Sequence, residues 1–407
     1  MEKSYFSHTM SNGMRIVHKC DASPVIYCGL AIKVGTRDEQ DDELGMAHFL
    51  EHLLFKGTKK RRSFHIINRL ETIGGSLDAY TTKEETFVYA AIPTLYFERA
   101  VELLSDVFFN STFPENEIEK EIDVVLDEIQ SYNDSPSELI YDEFETLIFS
   151  NSSLGRNILG NEEMLQTFDR KKVKAFYERN YTPNRVVFFS LGSVDFEKVI
   201  RLAEKYFSMG TYAASIVSQK QSEYFSQKLV KQKDTFQTHC VIGTRAYAFN
   251  DKKRLPLFLL NNILGGPTLN SRLNLLVREK HGLAYTIESE FNSYSDTGVF
   301  SIYFGCDQKN REKSIRLIEK ELKFLCENKF TEKQLIAHKR QLLGQLLLTS
   351  QNRENLALSM AKSFSYFNHF DELDEVRRKL DLITAEQLSE VANEIFSPHQ
   401  LTYLFYE

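Results

Sequence analysis

The sequence contains two stretches of similar pattern about 215 residues apart, and this repeat constrains the fold more than any other feature. Phe113-Pro114-Glu115 precedes a long helical stretch in the first half, and Phe330-Thr331-Glu332 precedes one in the second half, 217 residues later. Strand-like alternation occurs at matching places, in residues 25–32 and 237–243. The repeat predicts two α+β domains of similar topology that arose by duplication.

A polar stretch from residue 208 to 228 lies between the two repeats. It holds four serines between positions 215 and 226, together with several Gln and Lys residues, which is typical of a linker. We therefore predict a first domain at 1–215 and a homologous second domain at 216–407. A chain of 407 residues is long enough for two or three domains of ordinary size.

The charge and hydropathy of the chain exclude several classes of function. It carries 50 Lys and Arg against 57 Asp and Glu, a net charge of −7, so a broad nucleic-acid surface is not expected. No stretch approaches the roughly 18 apolar residues of a membrane span, and the N-terminus lacks the apolar core of a secretory signal, so we expect a cytoplasmic protein. The five scattered cysteines are predicted to be buried thiols.

A short run in the first repeat carries the residue types of a metal site. His48 and His52 are four residues apart, so on a helix both imidazoles can reach one metal ion. Glu51 projects near them without having to be a ligand. The order H-x-x-E-H is the inverzincin order, the reverse of the commoner H-E-x-x-H. The alternative is a surface helix with two incidental histidines.

The third ligand of such a site is expected on a second helix. Zinc bound by two histidines requires another protein ligand and keeps a fourth position open for water. Glu128 is the candidate, and Glu121 lies two turns earlier along the same border of the buried stripe. One carboxylate can bind the metal while the other orients a histidine. A solvated acidic helix face is the alternative.

These motifs together resemble a known family. The run from Ala47 to His52, followed by Phe55-Lys56-Gly57-Thr58 and later by Glu128, resembles the pitrilysin (insulinase-type) zinc metallopeptidases. The resemblance extends over essentially the whole chain and is greatest to the half-length branch, which includes the mitochondrial processing peptidase β subunit and bacterial relatives. It implies the pitrilysin-like fold, in which each domain is a mainly antiparallel sheet flanked by helices.

The resemblance also implies roles for individual residues. It implies one Zn²⁺ per chain in the first domain, with a second domain that contributes only substrate-binding residues. The implied zinc ligands are His48, His52 and Glu128, the general base is Glu51, and the supporting carboxylate is Glu121.

Two further segments resemble substrate-binding parts of the family. The stretch from Gly74 to Thr82 resembles an edge strand that pairs with substrate, with Asp78 and Ala79 as binding residues. Asp78 stands where Asn is usual, and we expect it to add a negative charge beside the cleft. Arg278 and Tyr285 correspond to an Arg and a Tyr that contact substrate; without the resemblance they would be a surface helix residue and a core strand residue.

The predicted function is that of a zinc-dependent endopeptidase that hydrolyses peptides or unfolded segments inside a clamshell chamber. Residues 257–262 occupy the place of the histidine motif in the second repeat and cannot bind zinc. The resemblance implies a chamber of four such domains, so a homodimer, or a heterodimer with a related subunit, completes it. The alternative is a non-catalytic structural or partner subunit of a similar complex.

The acidic residues are concentrated around the proposed third ligand. Residues 115–145 contain twelve acids and one Lys, a net charge of −11, whereas the whole chain carries −7. The local field of this segment favours basic peptides as substrates.

Overall fold

The computed structural model describes residues 5–210 and 223–407, and the predicted boundary between 215 and 216 lies outside them. The strands are β1 (Tyr5–Thr9), β2 (Arg15–Cys20), β3 (Val25–Ile32), β4 (Ser76–Thr81), β5 (Thr86–Pro93), β6 (Val186–Gly192), β7 (Lys228–Lys231), β8 (Thr238–Ala246), β9 (Ala284–Ser293), β10 (Gly298–Cys306) and β11 (Thr402–Tyr406).

The α-helices have the following bounds. They are α1 (Met46–Leu54), α2 (Ser63–Glu71), α3 (Phe97–Asn110), α4 (Glu115–Asn133), α5 (Pro136–Ile148), α6 (Glu162–Leu165), α7 (Arg170–Asn180), α8 (Phe196–Phe207), α9 (Arg254–Gly265), α10 (Arg311–Glu327), α11 (Glu332–Thr349), α12 (Arg353–Phe367), α13 (Leu373–Asp381) and α14 (Ala385–Ile395). A π-helix spans Asn274–Lys280, and 3₁₀ turns occur at Thr36–Asp38, Thr94–Tyr96, Ser153–Gly155, Pro183–Arg185 and Gln308–Asn310.

The two sheets share one topology once β1 is set aside. The first sheet has the order β1-β2-β6-β3-β5-β4, and the second has the order β7-β11-β8-β10-β9. In each sheet the last strand along the chain pairs in parallel with the first of the repeat, as β6 does with β2 and β11 with β7. The remaining pairs are antiparallel. The predicted duplication of an α+β unit is therefore confirmed.

The helices repeat in the same way. The helix predicted after Phe113-Pro114 is α4, which begins at Glu115, and its counterpart α11 begins at Glu332. Helices α3 and α10 follow β5 and β10 at equivalent places and pack through apolar faces against the core of their own sheet. A proline comes before α4, and proline cannot extend a preceding helix. A threonine comes before α11, and threonine readily caps a new helix. These two residues explain why both long helices start at equivalent places.

One helix of each half packs on the sheet formed by the other half. Ile140 and Phe144 of α5 lie in one cluster with Val241 of the second sheet. Met360 of α12 lies in another cluster with Phe189 of the first sheet. An amphipathic helix buries its apolar stripe against any matching apolar sheet face, so the sequence pattern does not specify the partner.

The chain accordingly divides into two compact units of interleaved segments. The first unit comprises the described parts of Met1–Gln130, Arg156–Gln219 and Thr349–Phe370. The second unit comprises the described parts of Ser131–Gly155, Lys220–Leu348 and Asp371–Glu407. This division differs from the consecutive ranges 1–215 and 216–407 by two exchanged segments, one that contains α5 and one that contains α12.

Two other expectations concern burial. Cys28, Cys240 and Cys306 are buried and Cys326 is partly buried, but Cys20 is exposed at the end of β2, so the expectation of a buried thiol was wrong there. Within residues 5–210 and 223–407, no helix has both the length and the apolar character of a membrane span.

Candidate metal centre

The first helix of the site, α1, is held by its apolar residues. Phe49, Leu50 and Leu53 are fully buried in the core of the first unit, so the side chains between them occupy defined positions. Gly45 precedes the helix with a φ of 89°, and a Cβ there would meet the carbonyl oxygen of Leu159 at 2.7 Å. Glycine is therefore required at the start of the helix that carries the predicted histidines.

The three predicted ligands meet within the first unit. The Nε2 atom of His48 lies 3.7 Å from Oε1 of Glu128, and the Nε2 atom of His52 lies 3.7 Å from Oε2. All three ligand atoms lie within 4.8 Å of one another. A tetrahedral zinc ion with bonds of about 2.0–2.2 Å separates its ligand atoms by about 3.3–3.6 Å. Two imidazoles and one carboxylate at these separations fit zinc.

The electrostatics of the two histidines differ. Burial, followed by the charge of His52, lowers the pKa of His48 to about 3, so this imidazole is neutral and its lone pair can bind a metal. Burial also disfavours the charged form of His52, but the Glu121 hydrogen bond and the charges of Glu51, Glu121 and Glu128 outweigh burial and raise the pKa. A proton on His52 therefore competes with a metal ion more strongly than a proton on His48 does.

Glu121 supports His52 from the neighbouring helix α4. Its Oε1 lies 2.9 Å from Nδ1 of His52, which leaves Nε2 to face Glu128. Glu121 is 3% exposed, and Lys56 pairs with its other oxygen at 2.5 Å. Burial would raise the pKa of Glu121, but the hydrogen bonds from His52 and Lys56 lower it on balance, so it remains a carboxylate. This arrangement sets the orientation of the imidazole.

Glu51 lies beside the histidines and is held by the neighbouring strand. Thr81, at the end of β4, donates a hydrogen bond from Oγ1 to Oε2 of Glu51 at 2.5 Å. Glu51 is 7% exposed, and burial raises its pKa, although the Thr81 bond and the charge of His52 oppose the shift. A carboxyl group with a raised pKa is suited to general base chemistry near neutral pH.

A cavity of about 320 Å³ lies next to these residues in the first unit. Its lining includes Glu51, His52, Glu71, Leu77, Asp78 and Ala79. Leu77 and Ala79 belong to β4, which lies at the edge of the first sheet. An edge strand offers unpaired backbone groups to an extended peptide.

The side chain of Asp78 projects from the opposite face of β4. Leu77 and Ala79 pack against the core that contains α1, whereas Asp78 lies opposite Tyr89, which packs in the cluster under α12. The charge of Asp78 contributes to the raised pKa of Tyr89, after burial and a bond to Glu354. Successive strand residues alternate between faces. Asp78 is nevertheless exposed and is among the residues that line the cavity beside Glu51 and His52, so the expectation that it adds charge beside the cleft stays a prediction.

The other two predicted residues belong to the second unit. Arg278 lies in the π-helix, is half-exposed, and has Nε 3.8 Å from the Glu279 carboxylate. Tyr285 is the second residue of β9 and is 73% exposed, so it is not a core strand residue. Helix α9, the counterpart of α1, carries no His, Cys or acidic residue.

The structure connects three further residues to the site that had no predicted individual role: Thr81, Lys56 and Glu39. Thr81 follows Ala79 by two residues and therefore lies on the same face of the strand. The period-two alternation of strand residues could have indicated that Thr81 faces the site. Lys56 lies two residues beyond the end of α1, so the spacing of neighbours on a helix gave no direct signal for it. The contact between Glu39 and the start of α1 gave no local signal.

Comparisons with known proteins agree with this geometry. A family model for Insulinase (Peptidase family M16) matches residues 15–162, and one for the Peptidase M16 inactive domain matches residues 167–342. The uncharacterized zinc protease YmxG of Bacillus subtilis strain 168 is 33% identical over 393 residues, which are 96% of this chain and 95% of that protein. An uncharacterized zinc protease of Rickettsia felis is 30% identical over 403 residues, which cover 98% and 96% of the two chains.

Solved structures share the fold. A protease from Helicobacter pylori superimposes with a TM-score of 0.92 at 23% identity and covers 99% of both chains. A peptidase M16 inactive domain protein from Pseudomonas fluorescens gives 0.91 at 19% identity and covers 99% of this chain and 97% of that one. Because the sequence matches extend over nearly the whole chain, this protein belongs to the insulinase family, peptidase family M16.

Proposed function

We propose that this chain is a zinc-dependent endopeptidase that hydrolyses peptides or unfolded segments. The observation that carries the proposal is the meeting of His48, His52 and Glu128 beside a buried Glu51 and an edge strand. The relatives in Bacillus subtilis and Rickettsia felis are named uncharacterized zinc proteases, which supports the same conclusion.

The three ligands would hold one zinc ion per chain. Zinc bound there supplies a Lewis acid that polarises the scissile carbonyl and makes water more acidic. Glu121 accepts a hydrogen bond from Nδ1 of His52 and so keeps Nε2 available as a ligand. His48 is neutral because burial lowers its pKa, and therefore needs no deprotonation before it binds.

Glu51 acts as the general base in this proposal. Its Oε2 accepts the Thr81 hydrogen bond, so Oε1 is the oxygen left to take a proton from the attacking water. The same carboxyl group then passes that proton to the leaving amine nitrogen. Burial at 7% exposure keeps bulk water from competing for the carboxylate.

Substrate would bind as an additional strand on β4. The backbone of Ala79 and its neighbours in β4 offers hydrogen bonds at the edge of the first sheet, and the adjoining cavity takes a substrate side chain. We extend the proposal to Arg278 and Tyr285, which would hold the peptide and help to stabilise developing negative charge. The exposure of Tyr285 is compatible with this role.

We also propose that the chain works as a dimer and prefers basic peptides. A homodimer, or a heterodimer with a related subunit, would complete a four-domain chamber that admits flexible peptides. The net charge of −11 in residues 115–145 would favour basic peptides at low ionic strength. Cleavage of acidic and basic peptides of equal length, compared at low and high salt, tests this preference.

The decisive experiment uses Glu51→Gln with a quenched peptide library. The variant should keep wild-type zinc content by elemental analysis and lose cleavage by at least about a hundredfold, because it cannot accept the water proton. Glu197→Gln is the matched control, since Glu197 is an exposed carboxylate on α8 of the same unit that does not line the cavity, and it should cleave normally. Unchanged cleavage by Glu51→Gln would refute the mechanism. Zinc binding without cleavage by the wild type would favour the non-catalytic subunit instead.

A further inference from the structure

A buried carboxylate outside the set of metal ligands contacts the start of α1. Glu39 is 2% exposed, and its Oε1 accepts a hydrogen bond from the backbone N–H of Ala47 at 2.9 Å. Its Oε2 accepts another from the N–H of Gly45 at 3.1 Å. The first N–H groups of a helix have no partner within the helix, and Gly45 has no side chain to cap them. Glu39 therefore supplies the cap from outside the helix.

The loop that carries Glu39 is itself held on several sides. Arg156 donates a hydrogen bond to the backbone oxygen of Glu39. Arg179 pairs with Glu43 through two hydrogen bonds, at 3.0 and 2.5 Å. Arg185 pairs with Asp38, the residue just before Glu39. The cap is thus attached to α7 and to the turn before β6, which belong to the same unit as α1.

The position of the cap relates it directly to the candidate metal centre. Ala47 is the residue before His48, so the bond to its N–H sets the backbone from which the first ligand side chain extends. His52 lies one turn further along the same helix. If the first turn loosens, both imidazoles move relative to Glu128, which lies on another helix.

We propose that Glu39 is a positioning residue for the metal centre: it keeps the first turn of α1 in the geometry that lets His48 and His52 bind one ion. The inference rests on the metal site of the proposed function and does not depend on which bond the protein hydrolyses. Glu39 touches neither the ligands nor the cavity, and it acts only through the backbone of Gly45 and Ala47.

Glu39→Gln tests the proposal. A glutamine amide nitrogen cannot accept a hydrogen bond, so at most one of the two caps survives. We expect zinc affinity, measured by competition with a chelator, to fall about tenfold. The visible spectrum of the Co²⁺-substituted variant should also change, because it reports the geometry of the ligands rather than the stability of the fold.

Glu85→Gln is the matched control. Glu85 is also 2% exposed in the first unit, but its side chain pairs with Lys362 at 3.1 Å and has no bond to α1. This variant should lose stability while its zinc affinity stays within twofold of wild type and its Co²⁺ spectrum stays unchanged. Equal weakening of zinc binding by Glu39→Gln and Glu85→Gln would overturn the proposal, as would wild-type binding and spectrum in Glu39→Gln.

A measurement on the wild type decides the matter if Glu39→Gln does not fold. If an ordered first turn of α1 favours zinc binding, then bound zinc favours the ordered turn to the same extent. Zinc should therefore slow amide hydrogen exchange at Gly45 and Ala47, but not around Glu85. Unaltered exchange at the start of α1 would overturn the proposal. A wild type that binds zinc but cleaves nothing would refute the proposed function and leave the role of Glu39 standing, whereas a wild type that binds no zinc would overturn both.

Discussion

Replacement of Thr81 by valine is expected to slow peptide cleavage without weakening peptide binding. The hydroxyl of Thr81 donates to Oε2 of Glu51 at 2.5 Å, and Glu51 is 7% exposed. Valine keeps the shape of the side chain and its preference for a strand but removes the donor. The Glu51 carboxylate would then lose both its orientation and a partner that stabilises its charged form.

The magnitude follows from the type of bond. A hydrogen bond to a buried charged group contributes about 1.5–3 kcal/mol, and each 1.4 kcal/mol corresponds to about a tenfold change in rate. If the whole loss is expressed in the transition state, kcat falls roughly ten- to 150-fold. The pKa of Glu51 should rise further, because the Thr81 bond opposes the effect of burial. The acid limb of the rate profile should therefore move to higher pH, since the base must be ionised to act.

The assay is steady-state cleavage of a quenched peptide at several pH values. Thr81→Val should lower kcat with KM within twofold of wild type, and Thr81→Ser, which keeps the hydroxyl, should restore most of kcat. Thr72→Val is the control, because Thr72 is exposed and its hydroxyl bonds only the Asn68 backbone at 2.8 Å within the described residues. Zinc content should be equal in all four proteins.

Two results would refute the reasoning about Thr81. Wild-type kcat in Thr81→Val would mean that the hydrogen bond does not hold the base. A parallel rise in KM would mean that the hydroxyl contributes to peptide binding through the edge strand instead.

Further predictions concern the metal ligands. Glu121→Gln should weaken zinc binding about tenfold, because His52 loses a charged partner. Glu119→Gln, at an exposed position of the same helix, should bind as the wild type does when both are titrated against a chelator. The metal-free protein should lose stability as the pH falls from about 6.5 towards 3, by up to about 1.4 kcal/mol per pH unit, because the unfolded chain protonates His48 while burial lowers its pKa in the folded chain to about 3. Urea unfolding at pH 7 and pH 5 measures this slope, and His48→Gln should reduce it; an equal slope in both proteins would contradict the assignment.

The parts of the site that follow from local spacing could be predicted from sequence. His48 and His52 are one turn apart on a short helix, so their shared face is a property of the helix itself. Glu121 and Glu128 share a helix border for the same reason. That Glu128 reaches the histidines depends on how α4 packs against α1, and the sequence indicated it only through the family resemblance.

The parts that depend on packing between distant segments could not be predicted. Thr81 meets Glu51 across 30 residues of chain, and Glu39 meets Ala47 across a loop. Alternation along β4 separates Asp78 from Ala79, but only the packed structure tells which face carries the site. The apolar stripe of α5 predicted burial without indicating the second sheet as its partner.

The exchange of α5 and α12 has a consequence for how the protein forms during synthesis. The first sheet has all its strands once the chain has been made to Gly192, and α8 ends at Phe207, but the helix that covers Phe189 ends at Phe367, 160 residues later. At about 5–20 residues per second, the ribosome needs roughly 8–30 s to supply that cover. Throughout this interval the nascent first sheet exposes an apolar face, and it is then a substrate for chaperones or an early site of misassembly.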